Sequence, residues 1–190
     1  MVKLSDNARQ RLERSTNFIW EVTKVVIISL AIIIPVRYFL VQPFYVKGAS
    51  MEPNFHNYEY LIIDELSYRF DDPQRGDVVV LRNPTRPSQF FIKRIIGLPG
   101  ETVEIANRNV YINGEELKET PYLNESVETF GNQVVTLQDR EFFILGDNRS
   151  ESLDSRVFGP IIRDEIIGRT WLRAWPITRL DHFSSTDYNE

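Results

Sequence analysis

FFIKRIIGLPGE, at residues 90–101, is the stretch that decides the fold. Its first seven residues are aromatic, β-branched or basic, and a Leu-Pro-Gly turn ends the run, which is typical of a β-strand. Comparable short runs recur at residues 58–64, 77–81, 102–105, 110–112, 134–137 and 141–145. Many short strands separated by turns, without long helical periodicity, predict an all-β fold that is mostly antiparallel, either a barrel or a coiled sheet.

One hairpin is marked by its turn. VYINGEEL, at residues 110–117, places Asn113 and Gly114 between alternating residues, which is a strong signal for a two-residue hairpin loop. The polar, turn-rich residues that follow predict a hairpin and loop inserted beside the main sheet, at about residues 106–138. Residues 181–190 (DHFSSTDYNE) predict a flexible tail.

The most apolar segment precedes the predicted strands. Residues 25–41 (VVIISLAIIIPVRYFLV) contain one charge, Arg37, and aromatic residues flank them on both sides. Because a membrane-spanning helix needs about 20 apolar residues, we predict a transmembrane anchor at residues 25–41. A buried core helix is one alternative, but this run is apolar on every side. A cleavable signal peptide is another, but QPF at residues 42–44 stands where small residues are expected.

The charges on the two sides of this anchor differ. Residues 1–24 carry five basic and three acidic residues, whereas residues 42–190 carry 16 basic and 24 acidic residues. Since basic flanks stay on the cytoplasmic side, we expect a cytoplasmic segment at residues 1–24 and an extracytoplasmic body at residues 42–180. A plasma membrane and a thylakoid-type membrane are both compatible with this topology. The excess of acidic residues in this body predicts that the protein does not bind nucleic acid, because contacts with phosphates need clustered lysine and arginine.

The composition also restricts the chemistry. The chain has no cysteine, and His56 and His182 are its only histidines. Disulfides and thiolate catalysis are therefore excluded. A structural zinc site needs four nitrogen or sulfur ligands, so we predict no metal and no cofactor. With only two histidines, the chain offers few candidates for the base of a Ser-His-Asp triad. In a serine protease of this sequence, another base would have to replace the imidazole.

Two polar segments could contribute nucleophiles or ion pairs. KGASMEP, at residues 47–53, surrounds Ser50 with small residues that allow close approach to its backbone. GDNRSESLDSR, at residues 146–156, follows a predicted strand and offers hydroxyls, carboxylates and arginines. The ordinary interpretation of the first segment is a surface turn, and that of the second is a solvated turn held by its own side chains.

Lys93 lies in the middle of a predicted strand. Alternation places it on the same face as Phe91 and Ile95. Apolar neighbours disfavour the ammonium form, which lowers the pKa of a lysine and lets it act as a base. The alternative is a charge that protects an edge strand from aggregation.

Taken together, these segments resemble the bacterial type I signal peptidases, or leader peptidases, which are membrane-bound Ser/Lys proteases. The matching boxes follow one another in the order GASMEP, RGDVVVL, FIKRIIGLPGE and GDNRSESLDSR, and the resemblance covers roughly residues 18–175. It implies a membrane-anchored serine endopeptidase whose catalytic domain is residues 42–180. The implied substrates are exported preproteins, cut after small residues of an Ala-X-Ala pattern, and membrane lipid is an implied partner.

The resemblance also implies a role for individual residues. Ser50 would be the nucleophile and Lys93 the general base. The supporting residues would be Ser152, which holds the lysine by a hydrogen bond, the ion pair of Asp154 with Arg156, and Asp147.

The resemblance extends to the oxyanion hole and the substrate pockets. The backbone N–H of Ser50 would be one oxyanion donor. In some family members the second donor is a serine at the position of Gly48. Because this chain has glycine there, a backbone amide or a water molecule would have to replace that serine as donor. The implied pocket residues are Phe44, Val46, Met51 and Ile92.

Two other interpretations remain open from the residues. One is a catalytically silent, membrane-anchored β-module that binds extended peptides. The other is a self-cleaving Ser/Lys repressor-type protease, but the chain contains no Ala-Gly bond and no cysteine, and an anchor occupies the place of a DNA-binding domain.

Overall fold

The computed structural model describes residues 6–39 and 41–183, and their side chains at residues 17–34 and 42–183. The chain divides into two compact units, Met1–Leu40 and Val41–Glu190. Each unit has its own secondary structure, helical in the first and mostly β in the second.

The first unit contains the long helix α1 (Asp6–Phe39). Its residues Asn17–Ile34 are long and apolar enough to cross a membrane. This window begins before the predicted anchor because Phe18, Ile19 and Trp20 are apolar and it contains only two charges, Glu21 and Lys24, which form an ion pair at 2.6 Å. The predicted anchor also ends too late, since Val41 is already the first residue of a strand.

The second unit is built from short strands. Between residues 41 and 183 the structure has twelve: β1 (Val41–Tyr45), β2 (Tyr60–Asp64), β3 (Val78–Asn83), β4 (Arg86–Gly97), β5 (Thr102–Ala106), β6 (Asn109–Ile112), β7 (Glu115–Glu116), β8 (Gln133–Thr136), β9 (Glu141–Leu145), β10 (Ile161–Ile162), β11 (Ile166–Trp175) and β12 (Asp181–His182). One turn of helix, α2 (Ser155–Phe158), and three 3₁₀ helices connect them, at Ser67–Arg69, Arg163–Glu165 and Ile177–Arg179.

The strands form two antiparallel sheets. The larger sheet has the order β1-β2-β11-β3-β4-β9-β10, with β12 added to β11, and the smaller has the order β7-β6-β5-β8. Pairing shifts by a residue at several places along β11 and β4, and such bulges bend a sheet. The predicted fold class, an all-β and mostly antiparallel fold, is confirmed. The larger sheet is coiled but does not close into a barrel, because β1 and β10 are its two edge strands.

The central strands of the larger sheet, β3, β9 and the end of β4, are buried on both faces, which explains their continuous apolar runs. In β3, Val79 and Leu81 enter one core cluster, whereas Val78 and Val80 enter another. In β9, Phe143 and Leu145 pack with residues of the smaller sheet. A strand covered on both sides needs apolar residues at successive positions, as DVVVL and EFFIL have.

The predicted hairpin is confirmed. Asn113 and Gly114 have φ values of 53° and 87°, and they join β6 to β7 with Ile112 opposite Glu115. The predicted insert at about residues 106–138 corresponds to most of the smaller sheet. That sheet begins earlier than predicted, however, because β5 starts at Thr102.

The longest omission from the sequence prediction is β11, which lies between β2 and β3. Three of its buried positions hold Gly168, Thr170 and Arg173, which are residue types that a hydrophobic pattern does not assign to a core. A side chain at Gly168 would collide with the backbone of Asp64 in β2, so the close pairing of these strands requires glycine.

The predicted flexible tail is wrong for its first three residues. Asp181 and His182 form β12 and pair with Arg173 and Leu172 of β11. The backbone N–H of Phe183 then donates to the carbonyl of Trp171 at 2.9 Å. Residues 184–190 lie outside the described chain.

Candidate active site

Ser50 lies in a tight turn that follows β1. The N–H of Glu52 donates to the carbonyl of Ala49 at 3.1 Å, and the N–H of Phe55 donates to the carbonyl of Met51 at 2.9 Å. Met51 and Phe55 are 1% exposed, so two core side chains anchor the turn. The entry to the turn needs Gly48, whose φ of 109° is unfavourable for other residues.

Lys93 lies on β4, one residue before the part of this strand that pairs with β9. Its strand, β4, is placed between β3 and β9, and the side chain is 2% exposed. Its amine donates to Ser50 Oγ at 2.7 Å and to the carbonyl of Ile92 at 2.8 Å. These contacts and its burial exclude the alternative of a protective edge charge.

Burial lowers the pKa of Lys93 from 10.5 to about 8. The apolar surroundings favour the uncharged amine, while the nearby carboxylates of Asp154 and Asp147 act in the opposite direction. The Phe91 ring, 5.2 Å from the nitrogen, forms part of this environment. A lysine in this state supplies neutral amine at physiological pH.

Each of these two carboxylates is held by an arginine. Arg156 forms two 2.8 Å hydrogen bonds to Asp154, which also accepts from the N–H of Gly146 at 3.1 Å. Burial raises the pKa of Asp154, but the Arg156 hydrogen bonds and charge outweigh it, so the pKa lies below its ordinary value. Asp154 therefore remains ionised and caps α2 by accepting from the N–H of Arg156.

Asp147 forms the second pair. Its carboxylate accepts two hydrogen bonds from Arg94, at 2.8 and 2.7 Å, and both side chains are buried. The side-chain amide of Asn54 donates to the same carboxylate at 2.8 Å and to the carbonyl of Tyr122, also at 2.8 Å. The segment after Ser50 is thereby connected to the catalytic loop, which we define as residues 146–156.

A small cleft of about 100 Å³ opens beside the Ser50 hydroxyl. Three of the four predicted pocket residues line it: Phe44, Val46 and Ile92. Met51 has a different place from the one predicted, because its side chain belongs to the core and has almost no surface for a ligand. Phe90 takes part instead, with its ring 5.5 Å from that of Phe44 in an edge-on contact.

Comparison with known proteins shows the family of the chain. The profile of the family described as signal peptidase, peptidase S26, matches residues 19–175. The chain belongs to this family.

Its similarity to individual signal peptidases extends over most of the chain. It is 38% identical to a probable signal peptidase I-2 of Synechocystis, over 84% of this chain and 75% of that one. It is 36% identical to signal peptidase I of Leptolyngbya laminosa, over 83% and 80% of the two chains. It is 34% identical to signal peptidase I of Bacillus amyloliquefaciens, over 89% and 92%. The chain is accordingly a serine peptidase of the signal peptidase type, and it is membrane-anchored.

The structure differs from the predicted signal peptidase contacts at Ser152. Among the described residues its buried hydroxyl does not hydrogen-bond to Lys93, and its polar contact is instead with the Asp154 carboxylate, whose pKa it helps to lower. The hydroxyl lies against Gly146, where an added Cβ would collide with Ser152 Oγ and with the carbonyl of Ser50. The absence of a side chain at position 146 therefore lets the catalytic loop approach the Ser50 turn closely.

The two predicted oxyanion donors, Gly48 and Ser50, differ in whether their N–H is free to bind a ligand. The N–H of Gly48 is already occupied, since it donates to the side-chain oxygen of Asn57 at 3.1 Å. Within residues 41–183, the N–H of Ser50 has no hydrogen-bond partner. It is the donor that remains available to a ligand.

Several contributors to the site were not found from the sequence. Arg94 and Asn54 hold Asp147 in place, and Arg149 joins the catalytic loop to Glu119 at 2.9 Å. The signal for Arg94 was its position in the predicted strand on the face opposite Lys93. Among residues 17–34 and 42–183, no group of three or more potential metal ligands of the His, Cys, Asp and Glu types lies together.

Gly146→Ala should remove most of the peptidase activity. The added methyl must displace Ser152 or the Ser50 backbone, and a displacement of about 1 Å can cost roughly 100-fold in rate. The measurement is kcat/KM with a preprotein, alongside the melting temperature. Gly97→Ala is the matched control, because its methyl would collide only with the core residues Val103, Leu137 and Phe143. Equal loss of activity in both variants would contradict a local effect at the site.

Proposed function

We propose that the chain removes signal peptides from exported preproteins by a Ser50/Lys93 dyad. The observation that carries this proposal is the 2.7 Å contact between the Ser50 hydroxyl and a buried amine. A serine hydroxyl is a weak nucleophile and needs an adjacent base. The lowered pKa of Lys93 makes its amine such a base without a histidine.

In the proposed reaction, the neutral amine of Lys93 accepts the Ser50 proton as Oγ attacks the scissile carbonyl carbon. The tetrahedral oxyanion accepts a hydrogen bond from the N–H of Ser50. The lysine ammonium then gives its proton to the departing amine of the mature protein, which leaves an acyl ester on Ser50. Water, deprotonated by Lys93, hydrolyses the ester and returns Ser50 and Lys93 to their starting states.

The proposed substrate binds as an added strand. Among the described residues, β4 pairs with β9 only from Arg94 onward, so the preceding part of β4 lacks a strand on that side. An extended peptide can pair with this edge next to Lys93. The apolar cleft lined by Phe44, Val46 and Ile92 has room only for small side chains, which supports cleavage after alanine-like residues.

The dyad has a specific pH dependence. Only the neutral amine can accept a proton, so kcat/KM should rise with pH through about 8, the pKa of Lys93. Ser50→Ala and Lys93→Arg should both be inactive, the second because a guanidinium stays protonated. Ser152→Ala should be milder than Lys93→Ala. Activity is measured by processing of a purified preprotein from pH 6 to pH 10, a range chosen as about two units on each side.

Two exposed residues provide matched controls for these variants. Ser126→Ala and Lys118→Arg make the same chemical changes on the surface and should retain wild-type activity. An active Lys93→Arg enzyme would remove Lys93 as the base. An inactive wild-type chain would favour the catalytically silent peptide-binding module instead.

The cleft predicts a steep dependence on substrate side-chain size. Preproteins with Gly, Ala or Ser before the cut should be processed, and those with Val or Leu should be processed much more slowly. One extra methylene changes binding by about 1–3 kcal/mol, and the cleft beside Ser50 is small, at about 100 Å³. Ile92→Ala should widen the cleft and partly restore cleavage after Val. Equal rates along the wild-type series would contradict this assignment of the pocket.

We also propose that residues 1–24 are cytoplasmic and that the catalytic unit is extracytoplasmic. The excess of basic over acidic residues within residues 1–24 supports this orientation. Protease added outside spheroplasts should digest the unit that begins at Val41, while an epitope tag fused before residue 1 should stay protected. Protection of the catalytic unit in intact spheroplasts, with digestion after lysis, would reverse the topology.

A further inference from the structure

Asn148 makes two contacts with the Ser50 turn. Its backbone N–H donates to the carbonyl of Ser50 at 3.1 Å, and its side-chain Nδ2 donates to the carbonyl of Ala49 at 3.1 Å. Two consecutive carbonyls of the turn are therefore held by one residue that lies about a hundred positions away in the sequence. No step of the reaction described above uses Asn148.

The second contact fixes a particular peptide group. The Ala49 carbonyl and the Ser50 N–H belong to the same planar peptide unit, and in a trans peptide they point in opposite directions. A hydrogen bond that holds the carbonyl therefore also sets the direction of the N–H. That carbonyl has two donors, the N–H of Glu52 within the turn and Asn148 Nδ2 from the catalytic loop.

The orientation of the Asn148 amide is itself constrained. Ser150 Oγ donates to Asn148 Oδ1 at 3.0 Å, which turns the Nδ2 group toward Ala49. The residues on both sides of Asn148 are immobilised by buried ion pairs, Asp147 with Arg94 and Arg149 with Glu119. Asn148 thus extends from a rigid part of the loop, which suits a residue that must hold another group in place.

We propose that Asn148 is a positioning residue that directs the Ser50 N–H at the developing oxyanion. The inference rests on the proposed function, because it gives the Ser50 N–H the role of oxyanion donor. An oxyanion donor contributes only when it lies at hydrogen-bond distance from the position that the oxyanion occupies in the transition state. Asn148 acts on this geometry through the Ala49 carbonyl and does not itself contact the substrate.

The test compares three variants with the full-length, detergent-solubilised wild type. Asn148→Ala removes the Nδ2 donor, while the backbone bond to Ser50 can remain. Asn148→Asp keeps the size and the acceptor for Ser150 but also lacks the donor. Asn124→Ala is the matched control, because Asn124 holds a similar turn with Ser126 in an exposed loop.

Removal of an oxyanion donor costs roughly 100- to 1,000-fold in kcat. Because Asn148→Ala leaves the donor present but less well directed, kcat should fall by roughly 10- to 100-fold. KM and the pH midpoint near 8 should stay unchanged, since the cleft and Lys93 are intact. A peptide aldehyde ending in alanine, which forms a tetrahedral adduct with Ser50, should lose affinity by a similar factor. Asn148→Asp should show the same loss of kcat, and Asn124→Ala should match the wild type.

Two results would overturn the inference. One is unchanged kcat in Asn148→Ala, and the other is a loss accompanied by an equal rise in KM or a shifted pH midpoint. If both variants have lower melting temperatures than Asn124→Ala and lose kcat in proportion to the folded fraction, Asn148 has only a structural role. Activity in Ser50→Ala is a separate outcome, which refutes the dyad itself.

Discussion

A lysine amine removed from water is the constraint on which the rest of this structure depends. Lys93 has two polar neighbours in hydrogen-bonding contact, the Ser50 hydroxyl and the Ile92 carbonyl. An ammonium group in that position would exchange full hydration for two neutral partners, so it is less stable than in a lysine exposed to water and the pKa is lowered. The burial of the central strands of the larger sheet provides these dry surroundings, and a single turn delivers the hydroxyl to the amine.

The two acidic residues near the amine show how this environment is preserved. A bare carboxylate beside Lys93 would stabilise the ammonium and raise its pKa. Asp147 and Asp154 are each paired with an arginine, Arg94 and Arg156, through two hydrogen bonds. Each arginine places a positive charge against its carboxylate, and the carboxylates organise the catalytic loop. The ion pairs are thus structural elements whose neutrality matters to the chemistry.

The sequence predicted the elements whose residues follow a simple hydrophobic pattern. β3 and β9 were found because both of their faces are apolar, and β4 because aromatic and β-branched residues fill its second half. Ser50 and Lys93 were found because they occur in ordered family segments. β11 was not found, because its buried positions hold Gly168, Thr170 and Arg173 and its bulges interrupt the alternation. The role of Asn148 was not predictable either, since a turn asparagine usually bonds to its own loop. Met51 was assigned to the pocket by the family resemblance, but in this structure its side chain is buried in the core.

The distance in sequence between Ser50 and Lys93 has a consequence for when activity can arise during folding. Ser50 and Lys93 are 43 positions apart and meet only when β4 has entered the larger sheet. In an unfolded chain the lysine is hydrated and titrates near ~10.4, so almost every copy is protonated at neutral pH. A newly synthesised chain therefore carries neither an activated hydroxyl nor a usable base. With the proposed dyad, peptidase activity therefore arises only once folding has brought these two side chains together.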